Sequence, residues 1–362
     1  MRQKARQILE ELAPQVQRNC TRADASLAGR FSLCGLLMRL NSLYKWEKNL
    51  PPWQVEEPPV LLDWVGRREE LWLSCQDQSY EDLVIENRVY DPYDSQAVNQ
   101  LLRPLGLVYS AGLAGGLTPV FFLGGIKKEQ RQNGLECLWI EREQARSLLL
   151  LPGLKQGDVV YLREEPLAHL LWDRISDPRK SARAFAWMGL KGYGVNLEEV
   201  LAKPSWPMLE PVLQGEMETV LWHELGEAEV DDDANRIFHL VLQSCPASDL
   251  ELFVRALKDL LADTLPQGRL SRIIAAEKEG ALGFYPAWLD GYTRFLFPEI
   301  SRAVLDFVKS ADWQAVEVAR DVGLERAADA ISSLSFLLVE GVNEKSLARA
   351  RSEVMEPLTG QL

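Results

Sequence analysis

The sequence predicts an α+β protein: N-terminal helices plus a small antiparallel β-meander, followed by an all-α C-terminal helical domain. Three observations carry that expectation. Apolar residues recur at helical spacing over the first seventy positions, short β-branched and aromatic runs separated by turn signals occupy about 83–163, and every segment beyond a proline-rich stretch has helical periodicity. The expected domains are a mixed α/β domain at 1–202 and an all-helical domain at 203–362. Within the first, 1–73 is helical, the meander covers about 83–163, and helices fill 165–190.

In chain order, Phe31, Cys34, Leu36, Leu37, Met38 and Leu40 recur on a helical repeat that Pro51-Pro52 stops, and a further helix spans Pro59 to Leu73. Strands follow at Leu107-Val108-Tyr109, Val120 to Leu123, Leu135 to Ile140 and Val159 to Leu162. Gly115-Gly116 and Asn133-Gly134 separate the first three; Asn-Gly accepts positive φ at low cost and so favours a two-residue hairpin. Asp177 and Pro178 are placed to cap and open a helix at 178–190. Pro204, Pro207 and Pro211 then interrupt both helix and sheet, which sets the boundary. Helices are expected at about 211–229, 233–245, 249–264, 268–279, 281–309, 311–341 and 343–355.

Composition narrows the function classes. The 362 residues are 47% hydrophobic and 26% charged, a globular balance with room for two cores. With 40 Lys plus Arg against 53 Asp plus Glu, the net charge is −13, a field that repels phosphate backbones and anionic membranes. The densest basic stretch, Arg179-Lys180-Ser181-Ala182-Arg183, is too short to reverse it, so neither nucleic acid nor membrane is expected as a partner. The five cysteines never form a C-x-x-C pair, which argues against a disulfide framework and a thiolate zinc site and for a cytoplasmic location. The N-terminus lacks an apolar signal-peptide core, and no apolar run reaches transmembrane length.

The most informative segment is Trp222-His223-Glu224-Leu225-Gly226-Glu227. On a helical wheel, Leu213, Met217, Val220, Leu221, Leu225 and Ala228 form one apolar stripe, and Glu224 falls near its middle. Glu216, His223 and Glu227 align along one flank. A carboxyl group turned into a core must be paired, protonated or metal-bound. Arg255, Lys258, Arg269 and Arg272 are the candidate partners for a buried ion pair. Alternatively, Glu216, His223, Glu224 and Glu227 form a metal site of the kind that carboxylates and imidazoles build between helices. With three histidines in the chain, such a site is carboxylate-rich and suits a divalent Fe, Mn or Mg ion better than Zn. Glu224 is also the candidate catalytic acid or base. The second histidine of an H-E-x-x-H peptidase is Glu227 here, so that specific signature is absent.

Other features read as structural. His239 and His169 lie beside apolar stripes and are expected to be solvated. Gly112-Leu113-Ala114-Gly115-Gly116 lacks the Gly-Lys-Ser/Thr ending of a phosphate loop and reads as a hairpin turn. In 250–264, Leu250, Phe253, Val254, Leu257, Leu260 and Leu261 form the packed stripe. Arg255, Lys258, Asp259 and Asp263 form the polar side, solvated unless it covers the helix carrying Glu224. The aromatic run from Phe284 to Phe297 reads as core packing.

Four stretches together resemble an uncharacterised bacterial protein family with a Trp-His-Glu-Leu-Gly-Glu segment. They are Val108 to Leu113 with Pro119 to Leu123, Trp222 to Glu227, Arg255 to Thr264, and Phe284 to Glu299. The resemblance covers the chain from about residue 60 onward and implies one protein built from these segments. That family has no assigned activity, so the resemblance implies no site residues.

Two functions remain open on the sequence. One is an interaction or scaffold protein, with a structural buried polar network around Glu224 and an unknown protein partner. The other is a carboxylate/His metal-binding or acid–base enzyme, seated in the helical C-terminal domain and acting on a small molecule.

Overall fold

A computed structural model describes residues 2–114, 118–339 and 341–360, with the side chains of Arg2 and 180–182 left aside. Gly115-Gly116, expected to turn between strands, lies outside the described residues, as do three side chains of the short basic stretch 179–183. The chain divides into two compact units, Met1–Trp172 and Asp173–Leu362.

The first unit opens with three helices, α1 (Arg2–Leu27), α2 (Leu33–Glu47) and α3 (Pro58–Cys75). A short hairpin of β1 (Leu83–Ile85) and β2 (Arg88–Tyr90) turns through Glu86 and Asn87, both at positive φ. Helix α4 (Ser95–Leu102) leads into β3 (Leu107–Ala114), β4 (Thr118–Gln132), β5 (Leu135–Arg146), β6 (Gly153–Gln156) and β7 (Val159–Arg163). Strands β3, β4 and β5 form the expected antiparallel meander, and Asn133-Gly134 at φ 50° and 80° closes the β4–β5 hairpin. The chain then departs from a simple meander. Strand β7 pairs with β5 in parallel and β6 flanks it antiparallel, giving the order β3-β4-β5-β7-β6.

Both faces of this sheet are covered, which explains the unbroken apolar run in β4. Phe121 and Leu123 pack on one side with Leu12, Val16 and Cys20 of α1, whereas Val120 and Phe122 pack on the other with Leu138, Ile140 and Tyr161. Each such fully buried side chain contributes about 1.5–3 kcal/mol. Helices α2 and α3 share a third cluster around Leu40, Leu43, Trp64 and Trp72. Arg163 and Glu143 form an ion pair among these elements, with both side chains sealed from solvent. His169, expected in solvent, is buried; burial and the nearby Arg146 and Lys45 hold its imidazole neutral. His239 is exposed, as its place beside the stripe suggested.

Helix α5 (Glu164–Ile175) contains the boundary between the units, about thirty residues before the proline-rich stretch. The boundary shifts because α6 (Lys180–Gly192) packs within the second unit on α12 (Glu279–Trp288). Their backbones come so close that a Cβ on Gly283 would lie 2.4 Å from the amide nitrogen of Gly189. Asp177 does cap a turn, accepting from the Arg179 amide, but the helix begins at Lys180.

Helices α7 (Leu197–Ala202), α8 (Trp206–Glu229), α9 (Asp232–Ser244), α10 (Asp249–Thr264) and α11 (Arg269–Ala275) follow. The prolines do not delay α8 to residue 211. Pro207 occupies its first turn, where no amide donor is needed, and the helix continues through Pro211 with one backbone bond forgone. The single helix expected at 281–309 is three: α12, α13 (Gly291–Leu296) and α14 (Pro298–Ser310). An Asp290–Thr293 capping box and Pro298 restart the chain after each break. Helix α15 (Trp313–Leu338) and the C-terminal helices from Glu344 complete one core that includes Phe253, Tyr285 and Phe297. No helix among the described residues is long and apolar enough to cross a membrane.

Candidate metal centre

Helix α8 is buried on most of its circumference, against α10, α11 and α12. Glu224 is 6% exposed, so its carboxyl group is turned away from water as the helical wheel requires. Ala228, at the end of the expected stripe, is exposed. Two caps fix the elements around the site. The Asp231 carboxylate accepts from the Ala234 amide to start α9, and Ser248 Oγ accepts from the Glu251 amide to start α10.

Glycine sets the distance between α8 and α10. A Cβ on Gly226 would stand 2.1 Å from the carbonyl oxygen of Ala262, so only glycine allows this crossing. The close approach lays two i, i+4 pairs opposite each other, His223 and Glu227 on α8 and Asp259 and Asp263 on α10. One ligand atom each from His223, Glu227 and Asp259 lies within 4.8 Å of the others. Asp263 stands behind, with Oδ1 2.7 Å from His223 Nδ1. The rim is accessible: the His223 and Glu227 side chains are 19% and 25% exposed.

Two cations border the cluster. Arg269 Nε is 3.5 Å from Asp263 and donates to the Thr219 carbonyl at 3.3 Å; Lys258 Nζ is 3.7 Å from Glu227. Burial, followed by the Glu227 charge, raises the Glu224 carboxyl to about 7. Asp259 rises to about 6, again chiefly by burial. Burial opposes charge on His223, but the Asp263 carboxylate outweighs it and raises the imidazole to about 9. The Tyr285 hydroxyl, 1% exposed, feels the charge of Asp263 and Asp259 but makes no hydrogen bond of regular geometry.

Family models for the N-terminal and C-terminal domains of a family of unknown function, DUF6866, match residues 11–163 and 168–357. The chain belongs to that family. No curated protein and no solved structure matches it.

Within the C-terminal family domain, the four side chains on the helical wheel separate. His223 and Glu227 face Asp259, and Glu224 lies beside them on the core side, within electrostatic reach of both and of Arg269. Glu216 shares their flank but sits seven residues earlier, about 10 Å along the axis. Its oxygens accept from Tyr193 Oη at 2.8 Å and Trp288 Nε1 at 2.7 Å, and burial raises the carboxyl to about 7. Among the charged residues considered as partners of Glu224, Lys258 and Arg269 border the cluster, Arg255 pairs with Glu251, and Arg272 holds Gln267. Asp259 and Asp263 are the residues sequence reasoning left on a polar face. Their signal was the match between an i, i+4 acidic pair flanking Ala262 and the His223/Glu227 pair flanking Gly226.

Proposed function

We propose that the C-terminal helical domain holds a divalent cation on His223, Glu227 and Asp259, and that the protein uses it on a small molecule. One observation carries the reading: an imidazole and two carboxylates from crossing helices offer ligand atoms within 4.8 Å of one another. Three atoms each about 2.1 Å from one ion lie about 3.4 Å from one another in a tetrahedral site, so ligation draws these side chains together by up to about 1.4 Å. Asp263 supports the same reading. It accepts from Nδ1–H, as the usual second partner of a metal-bound histidine does, so Nε2 is the atom that would give up its proton to a cation. One nitrogen and two oxygens suit Mn²⁺ or Fe²⁺ better than a thiolate-preferring ion. Three protein ligands leave coordination positions for water or substrate at a partly exposed rim. Glu224 backs the ligands from the core side, and Glu216 anchors α8 to α6 and α12.

Elemental analysis of untagged protein, with Mn²⁺ titration of the metal-stripped form, tests this. Near-stoichiometric metal that is lost in Glu227→Gln/Asp259→Asn and retained in Glu216→Gln is expected. Metal-free protein with no affinity for Mn²⁺ overturns the reading.

A second reading has its own support. Lys258 and Arg269 already stand against Glu227 and Asp263, so the cluster also works as a fixed ionic network in an interaction protein. On that reading no metal is found, and Glu227→Gln acts on stability alone.

A further inference from the structure

Lys258 occupies a distinctive place at the rim of the centre. Its Nζ stands 3.7 Å from Glu227 Oε1, within ion-pair range but beyond an ordinary hydrogen bond. Its ammonium also lies 5.1 Å from the centroid of the Phe238 ring, a contact that supports the cation from one side. The side chain is 18% exposed. Arg269, by contrast, is tied down inside by Asp263 and the Thr219 carbonyl. Among the described residues, Glu227 is the one carboxylate within ion-pair distance of Lys258.

Metal binding changes the position of this ammonium. Once Glu227 shares its charge with a dication, Lys258 faces a second positive centre a few ångströms away with its counter-charge drawn off. Moving the lysine fully into solvent would relieve the repulsion but give up the Phe238 contact. A ligand oxygen atom carrying negative charge would satisfy both cations at once, and it could reach them where His223, Glu227 and Lys258 are partly exposed.

We infer that the small molecule taken by this centre is an oxyanion, a phosphate or carboxylate group held between the bound cation and the Lys258 ammonium. The inference rests on the cation reading above. The bridging oxygen coordinates the ion while a second oxygen of the same group accepts from Nζ. A neutral acceptor would take a hydrogen bond from Lys258 but would not balance the two positive charges.

The probe is inorganic phosphate added to Mn²⁺-loaded protein, read by ³¹P paramagnetic relaxation, with Mn²⁺ affinity measured in parallel. Wild type is expected to bind phosphate in a Mn²⁺-dependent way. Lys258→Met is expected to weaken phosphate by at least about tenfold, the weight of one charge-assisted contact, with Mn²⁺ affinity kept or tightened. Lys258→Arg should recover part of the loss. Acetate that displaces phosphate assigns the site to carboxylates, and phosphate that resists acetate assigns it to phosphates. Phosphate that ignores Mn²⁺-loaded wild type, or binds Lys258→Met equally well, overturns the inference. Failure of wild type to bind Mn²⁺ at all would instead remove the cation reading beneath it.

Discussion

Gly226 of α8 rests against the backbone carbonyl of Ala262 in α10 with no space for a side chain between them. Both halves of the proposed ligand set depend on that contact. Gly226→Ala must push the helices apart, an overpacking cost of about 1–3 kcal/mol, and should weaken Mn²⁺ binding along with stability. Urea denaturation and Mn²⁺ titration of the same variant check both effects. Wild-type stability in the variant would mean that α8 and α10 do not cross this closely.

Asp263→Asn should separate positioning from folding. The amide keeps the size of the carboxylate but stabilises the imidazole poorly, and loss of such a partner usually lowers metal affinity by about 10–100-fold. The Mn²⁺ dissociation constant gives the readout, and the urea midpoint serves as control.

Glu216→Gln should do the opposite. Tyr193 and Trp288 each donate to one carboxylate oxygen, so an amide leaves one buried donor facing an N–H group, at a cost of about 1–3 kcal/mol. Mn²⁺ affinity should hold. A large loss of affinity would draw Glu216 back into the metal set.

In the N-terminal unit, Arg163→Met strands a sealed Glu143 carboxylate and should cost about 3–5 kcal/mol. Arg163→Met/Glu143→Leu, which removes both charges, should recover most of that loss. A double-mutant cycle by urea denaturation measures the coupling.

Asp24 gives a pH prediction. Burial raises its carboxyl from 3.8 to about 8, against the Leu148 amide that donates to it and the charges of Arg68 and Arg146. The folded state therefore holds a proton that the unfolded chain releases. The associated stability is fully present below the unfolded value and is lost as pH rises through about 8. Glu165, raised to about 7 chiefly by burial, acts in the same direction. The urea midpoint should fall between about pH 5 and pH 8 in wild type and fall less in Asp24→Asn. Equal slopes would show that Asp24 stays charged when folded.

The readable parts of the sequence were those set by local rules. Helical periodicity gave the α-rich ends, and Asn133-Gly134 gave a hairpin because few dipeptides accept two positive φ angles. The α8 stripe turned Glu224 inward. What stayed hidden depends on partners distant in sequence. The parallel β5–β7 pairing is invisible to strand patterning, which carries no direction. His169 looked solvated because a wheel shows which face is polar without showing what covers it. The same blindness left Asp259 and Asp263 on an outer face, although Ala262 between them marks the side that α8 approaches.

The route from His223 to Asp263 spans only 40 positions, and α9 alone lies between the helices that carry them. Closing this segment costs about 2 kcal/mol less chain entropy than joining donors from opposite ends of the polypeptide. During synthesis these donors leave the ribosome in close succession, before α12 to α15 exist to shield them. On the proposed cation reading, an ion captured by this partial helical hairpin acts as a template on which the later helices close.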